Sequence, residues 1–255
     1  MPSKIVALWN NFHALAAKLN QPTPPEVATT SIAAPGAVIR RPGYYDGKTT
    51  YEGELGIVIG KGCSAASADE ADDFIFGYTC VNDITANDLL TADPTFAQWA
   101  RSKGIDGYGP FGPVIATNVD PAELVVRTIL NGVERQNYPI SDMIFSAREL
   151  VSRISQDMTL LAGDLICCGT SIGVGVMKEA INTVTVAIDG IGELTNEFRP
   201  WRAKAPSAPP FPHGTIPCRI DFCTRERHPS ARNLIAVCVG RLPRHGKSSG
   251  NRGAA

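Results

Sequence analysis

The chain has 255 residues, of which 44% are hydrophobic, 19% charged and 7% aromatic. These are globular values with room for one large domain, and they exclude collagen-like, coiled-coil and wholly disordered chains. The formal net charge of −1 hides an asymmetry, because residues 198–255 carry 11 Lys and Arg against only Asp221 and Glu226, whereas the residues before them carry 13 against 23 acids.

No apolar run approaches the roughly 20 residues of a membrane helix, and Met1 to Asn11 shows no secretory cleavage pattern. A cytoplasmic protein with no membrane partner is expected. The seven cysteines include no CxxC spacing, so reduced thiols are expected.

In chain order, Ile5 to Trp9 suits a first strand and Asn11 to Leu19 a short helix. Gln21 to Pro42 is irregular in pattern apart from Ala37 to Ile39. The segments 50–59, 74–82, 114–116, 125–130, 165–168 and 182–188 are short and rich in β-formers. Helices are expected at Asp93 to Lys103, with Asp93 as cap and Pro94 at the first helical position, and at Ala147 to Ser155. Strands dominate without regular βαβ alternation, which argues for an α+β, mainly β fold and against a doubly wound sheet. Three segments follow: 1–36, an N-terminal strand and helix with an irregular stretch; 37–197, the main folded body; and 198–255, a basic Pro/Arg-rich tail. The tail has six prolines between Pro200 and Pro217 and is expected to be poorly ordered. It spaces His213, Cys218, Cys223 and His228 evenly, but without the turn signals of a zinc knuckle. It has few aromatics and no recognisable module, so a nucleic-acid partner is not expected.

The sharpest local signal is Tyr51-Glu52-Gly53-Glu54-Leu55. In a strand, Glu52 and Glu54 share one face while Leu55, Ile57 and Ile59 point into the core. Two adjacent carboxylates are tolerable if both are solvated or if a cation lies between them. Asp83, which follows the apolar segment 76–81, adds a third acid expected to need a partner. Oxygen ligands without His or Cys suit a hard ion such as Mg²⁺ or Mn²⁺. Further on, Gly169-Thr170-Ser171-Ile172-Gly173-Val174-Gly175 is a glycine-rich loop that can turn backbone N–H groups and the Thr170 hydroxyl toward an anion. It is neither a P-loop nor a dinucleotide fingerprint.

Taken in order, these motifs resemble the fumarylacetoacetate hydrolase family. The match also includes Gly77-Tyr78-Thr79-Cys80-Val81-Asn82-Asp83, Lys103-Gly104-Ile105-Asp106-Gly107, Asn131-Gly132 followed by Gln136, and the Gly163-Asp164 turn. The resemblance implies a layered roll of mixed β-sheets, a homodimer, and metal-dependent chemistry on a small 2-oxo or 1,3-dioxo acid. It makes Glu52, Glu54 and Asp83 the ligands of Mg²⁺ or Mn²⁺ and Lys103 a substrate-contacting cation. Thr170, with Gly169, Gly173 and Gly175, becomes the cradle of the substrate carboxylate.

Hydrolytic relatives carry a water-activating His and Glu in the N-terminal lid, where this chain has Leu15 and Lys18; His13 is the nearby candidate base. Asn87 and Leu90 likewise stand where hydrolases show Arg and Gln. C–C hydrolysis of an acylpyruvate-like acid is the first expectation. The alternatives are a decarboxylase or tautomerase that needs no activated water, and a catalytically dead metal-binding homologue.

Overall fold

The strand Gly53–Ile59, which carries the acidic motif, is buried at all seven positions. Its neighbours explain why. The computed structural model describes residues 2–20, 26–29 and 31–200, all within the first of two units, Met1–Ser207 and Ala208–Ala255. The tail's Cys/His spacing lies outside the described residues.

The chain begins with β1 (Ile5–Leu8), α1 (His13–Leu19), β2 (Glu26–Thr29), β3 (Val38–Arg40), β4 (Thr49–Tyr51) and β5 (Gly53–Ile59). It continues through β6 (Ile75–Asn82), β7 (Thr85–Ala86), α2 (Asn87–Leu90), α3 (Trp99–Lys103), β8 (Phe111–Ala116), β9 (Val125–Leu130) and β10 (Val133–Pro139). The last elements are α4 (Ala147–Asp157), β11 (Leu165–Cys167), β12 (Gly175–Val176), β13 (Asn182–Ile188) and β14 (Gly192–Arg199).

Three sheets form, six-stranded β2-β1-β11-β5-β6-β8, five-stranded β10-β9-β13-β14-β3 and three-stranded β12-β4-β7. Pairing is mixed, since β1–β11 and β14–β3 are parallel while the other pairs are antiparallel. This is the mainly β, α+β fold expected from the sequence.

Leu55, Ile57 and Ile59 of β5 meet Val126, Val186 and Ile188 of the five-stranded sheet in one core, which Leu150, Val151 and Ile154 of α4 close. Each such side chain, fully buried, contributes roughly 1.5–3 kcal/mol. α4 is started by a reciprocal capping box between Ser146 and Glu149. The face of β5 carrying Glu54 is not solvated. Glu54 shares it with Val58 and with Ile5, Ala7, Val81, Leu165 and Cys167 of the same sheet, all buried, and with Glu52 and Glu54 both buried the reading of the two acids as a solvated surface pair is overturned.

Other expectations need correction. The helix at 93–103 is confined to Trp99–Lys103. The Asp93 carboxylate accepts from the Thr95 N–H at 2.8 Å and its hydroxyl at 2.7 Å, a local turn that competes with helix entry. The strand expected over 50–59 breaks at Glu52, so that β4 and β5 enter different sheets. Strands β2, β10 and β14 occupy segments not read as strands. Asn131 (φ 52°) and Gly132 (φ 79°) make the two-residue turn that joins β9 to β10.

Candidate metal centre and active site

The break at Glu52 brings the three acids together. Asp83 leaves the end of β6, and its N–H donates to the Glu52 carbonyl at 2.9 Å. The Asn82 side-chain oxygen accepts from the Glu52 N–H at 3.0 Å. One carboxylate oxygen from each of Glu52, Glu54 and Asp83 lies within 4.8 Å of the others, and all three residues are buried. Lys103, at the end of α3 and only 2% exposed, extends its ammonium into this group. It donates to Asp83 Oδ2 at 2.5 Å, Glu52 Oε2 at 3.1 Å and Thr85 Oγ1 at 2.8 Å. The Thr85 hydroxyl in turn donates to Glu52 Oε1 at 2.6 Å.

Glu54 is treated differently by its surroundings. Its Oε2 accepts from the Gly169 N–H at 2.9 Å, while its Oε1 is buried with no hydrogen-bond partner. Burial first, and then the Asp83 charge, hold its carboxyl well above the usual carboxylate range despite the pull of Lys103. Burial likewise raises Asp83 to about 6 against Lys103. Burial pulls the Lys103 ammonium down, but Asp83, Glu52 and Glu54 together outweigh it and hold that group above its ordinary value.

Three ionised acids and one ammonium leave two negative charges in a buried pocket. One divalent cation balances them and gives the orphaned Glu54 oxygen a partner. An all-oxygen donor set suits Mg²⁺ or Mn²⁺, so the residues present fit such an ion.

Thr170 is anchored between the two glutamates. Its hydroxyl donates to the Gly53 carbonyl at 3.0 Å and accepts from Gln136 Nε2 at 2.9 Å. Gln136 Oε1 takes the Gly53 N–H at 3.1 Å, and the Tyr138 hydroxyl donates to the same Gly53 carbonyl at 2.6 Å. Gly169 lies with the triad, its N–H committed to Glu54. Gly173 and Gly175 instead line a cleft of about 750 Å³ with Tyr51, Arg135 and Lys178. Gly173 is required where it stands, since φ is +96° and a Cβ would come within 2.2 Å of the Arg135 carbonyl oxygen.

His13 is exposed at the start of α1. The preceding residues are fastened to the site's scaffold: Asn11 Nδ2 donates to the Cys168 carbonyl at 3.0 Å, and Phe12 sits edge-on against Tyr138 with ring centroids 4.9 Å apart. Leu15 packs against the main core and Lys18 is exposed, so neither stands in for a catalytic pair.

Sequence reasoning assigned no role to Thr85, Gln136, Tyr138 or Asn11. Gln136 and Tyr138 were detectable in principle as the two buried positions alternating along the otherwise exposed β10.

The family profile described as fumarylacetoacetate (FAA) hydrolase C-terminal matches residues 4–199. The chain belongs to that family, and it is an enzyme of it. It is 37% identical over 214 residues to oxaloacetate tautomerase YisK of Bacillus subtilis, covering 77% of this chain and 70% of that one. Among solved structures it is similar to 2-hydroxyhepta-2,4-diene-1,7-dioate isomerase from Mycobacterium marinum, with TM-score 0.72, 40% identity and coverage of 79% and 76%. It also resembles fumarylpyruvate hydrolase from Pseudomonas aeruginosa in complex with Mn²⁺ and pyruvate, with TM-score 0.72, 26% identity and coverage of 78% and 91%. No helix among the described residues is long and apolar enough to cross a membrane.

Proposed function

We propose that the chain is a cytosolic, homodimeric enzyme that tautomerises or isomerises a small 2-oxo or 1,3-dioxo acid through its enolate. The observation that carries this reading is the allotment of the site's charged groups. Glu52, Glu54, Asp83 and Lys103 all belong to one ligand cluster, while the positions of the lid pair hold Leu15, packed in the core, and the exposed Lys18. Stabilising an enolate needs the cluster alone; hydrolysis needs a water-activating pair as well. The similarity to a tautomerase and an isomerase at 37% and 40% identity points the same way.

A Mg²⁺ or Mn²⁺ ion held by Glu52, Glu54 and Asp83 supplies Lewis-acid polarisation of the substrate oxygens when bound. Lys103, kept protonated by its acidic neighbours, offsets the charge that develops on the enolate. The Thr170 hydroxyl turns from the Gly53 carbonyl to the substrate carboxylate, and Tyr138 keeps that carbonyl satisfied while it does so. His13, the one histidine in residues 1–197, carries the proton. Residues 37–197 form the catalytic domain, and 1–36 supply its N-terminal strand and lid segment. C–C hydrolysis is the second reading, favoured only if His13 alone activates water.

The test follows the enol absorbance of oxaloacetate and of an acylpyruvate with Mg²⁺ and then with chelator, while pyruvate release is assayed in parallel. Chelator-sensitive ketonisation without cleavage is expected. Stoichiometric pyruvate from the acylpyruvate would replace this reading with hydrolysis.

A further inference from the structure

A second cleft, of about 590 Å³, lies between β3 and the end of α3 with its following loop, and Arg40, Arg101, Tyr44 and Asp106 line it. One of its charged groups is unusual. The Nη1 atom of Arg40 is buried and meets no hydrogen-bond acceptor. Among the described residues, neither Arg40 nor Arg101 nor Asp106 takes part in an ion pair.

The surroundings account for this. Arg40 lies opposite Arg199 in the parallel β3–β14 pairing, and Glu197 is engaged by Arg199, whose Nε donates to it at 2.8 Å. The acid nearest in register thus serves the other arginine. A guanidinium nitrogen removed from water without an acceptor is costly, and its planar fork matches the oxygens of a carboxylate or phosphate. Against the two arginines the cleft sets only the exposed Asp106, so its lining is net positive.

We propose that this cleft is an anion site, separate from the metal centre, that takes a small dianion bearing carboxylate or phosphate oxygens. Arg40, half-buried with one nitrogen removed from water, is its anchor, Arg101 its exposed second fork, and Tyr44, 71% exposed, also lines it. Arg101 precedes Lys103 by two residues on α3, so an occupied cleft bears on the helix that delivers the catalytic ammonium.

Calorimetric titration of the full-length chain, in chelator and at low ionic strength, tests this with inorganic phosphate and, separately, malonate. Saturable binding of one of the two is expected, and which one saturates identifies the oxygen donor group. Affinity is expected to fall about tenfold or more in Arg40→Gln and in Arg101→Gln, the loss of one charge-assisted contact, and to be unchanged in Glu54→Gln. Arg40→Lys, which keeps the charge without the fork, is expected to bind severalfold more weakly than the native chain. Arg101 is exposed, so its variant keeps the test decisive if Arg40→Gln unfolds. The proposal is overturned if neither anion saturates, if both arginine variants bind like the native chain, or if Glu54→Gln abolishes binding and so places the anion in the metal centre.

Discussion

Replacing Glu54 by Gln should stabilise the metal-free protein at neutral pH while abolishing its metal site. In the unfolded chain Glu54 ionises near pH 4.3, but in the fold its carboxyl is held well above that by burial and by Asp83. A carboxyl with a raised folded-state pKa favours the folded state most below its unfolded pKa, and that advantage is lost as pH rises. With the unfolded value near 4.3, the loss between there and pH 7 is at most about 3.7 kcal/mol relative to a neutral isostere. Gln keeps an acceptor for the Gly169 N–H and does not titrate. The variant is therefore expected to exceed the native chain in stability by up to about 3.7 kcal/mol at pH 7 in chelator, and by almost nothing near pH 4. Metal reverses the order, since a thousandfold excess over Kd adds about 4.1 kcal/mol to the native chain alone. Urea unfolding at both pH values, with chelator and with Mg²⁺ or Mn²⁺, measures all of these differences. A variant less stable than the native chain at pH 7 in chelator, or a difference that does not shrink toward pH 4, refutes the reasoning.

Lys103→Met leaves Asp83 and Glu52 without their ammonium and should cost about 3–5 kcal/mol of stability in chelator, part of it restored by metal, as urea midpoints will show. Because Asp83 must shed a proton held up to about 6, metal affinity should fall by at least about tenfold per pH unit below pH 6. Calorimetry in two buffers of different ionisation enthalpy should show the proton release. Gly173→Ala places a Cβ 2.2 Å from the Arg135 carbonyl oxygen at φ +96°, and should cost about 1–3 kcal/mol in thermal unfolding. Gln136→Leu removes the donor that fixes the Thr170 hydroxyl, so KM for the oxo acid should rise more than kcat falls.

Much of the fold was legible where local chemistry and tertiary packing agree. β13 and β9 are alternating or continuous runs of β-formers, and α4 has both a capping box and an apolar face. β10 was not legible, because only Gln136 and Tyr138 of Val133–Pro139 are buried beyond doubt of pattern, and its polar face has the composition of a loop. β14 was missed for a related reason: Leu194, Asn196 and Phe198 face inward, but the buried asparagine interrupts the apolar alternation. Its amide donates to the Ala34 and Ala37 carbonyls at 2.9 and 3.0 Å, a contact more than 150 residues away in sequence. The helix at 93–103 failed on competition, since Asp93 satisfies Thr95 instead of capping a longer helix.

The metal site was legible for a different reason. A Glu-x-Glu pair in a strand is uninformative by itself, because period-two alternation places both acids on one face without saying whether that face meets water. Packing decides it. On the side of β5 opposite Leu55, Ile57 and Ile59, Glu54 is flanked by Val81, Leu165 and Cys167 of the neighbouring strands and is fully buried, so it cannot be relieved by solvent. Lys103 relieves Asp83 and Glu52 but leaves one Glu54 oxygen without a partner. A core that keeps such an oxygen, where glutamine would be less costly, is organised around a cation. The sequence carried the ligands because ligation depends on residue type; it singled out Gln136 without a role and passed over Thr85 and Tyr138, because their roles depend on which backbone groups the register brings within reach.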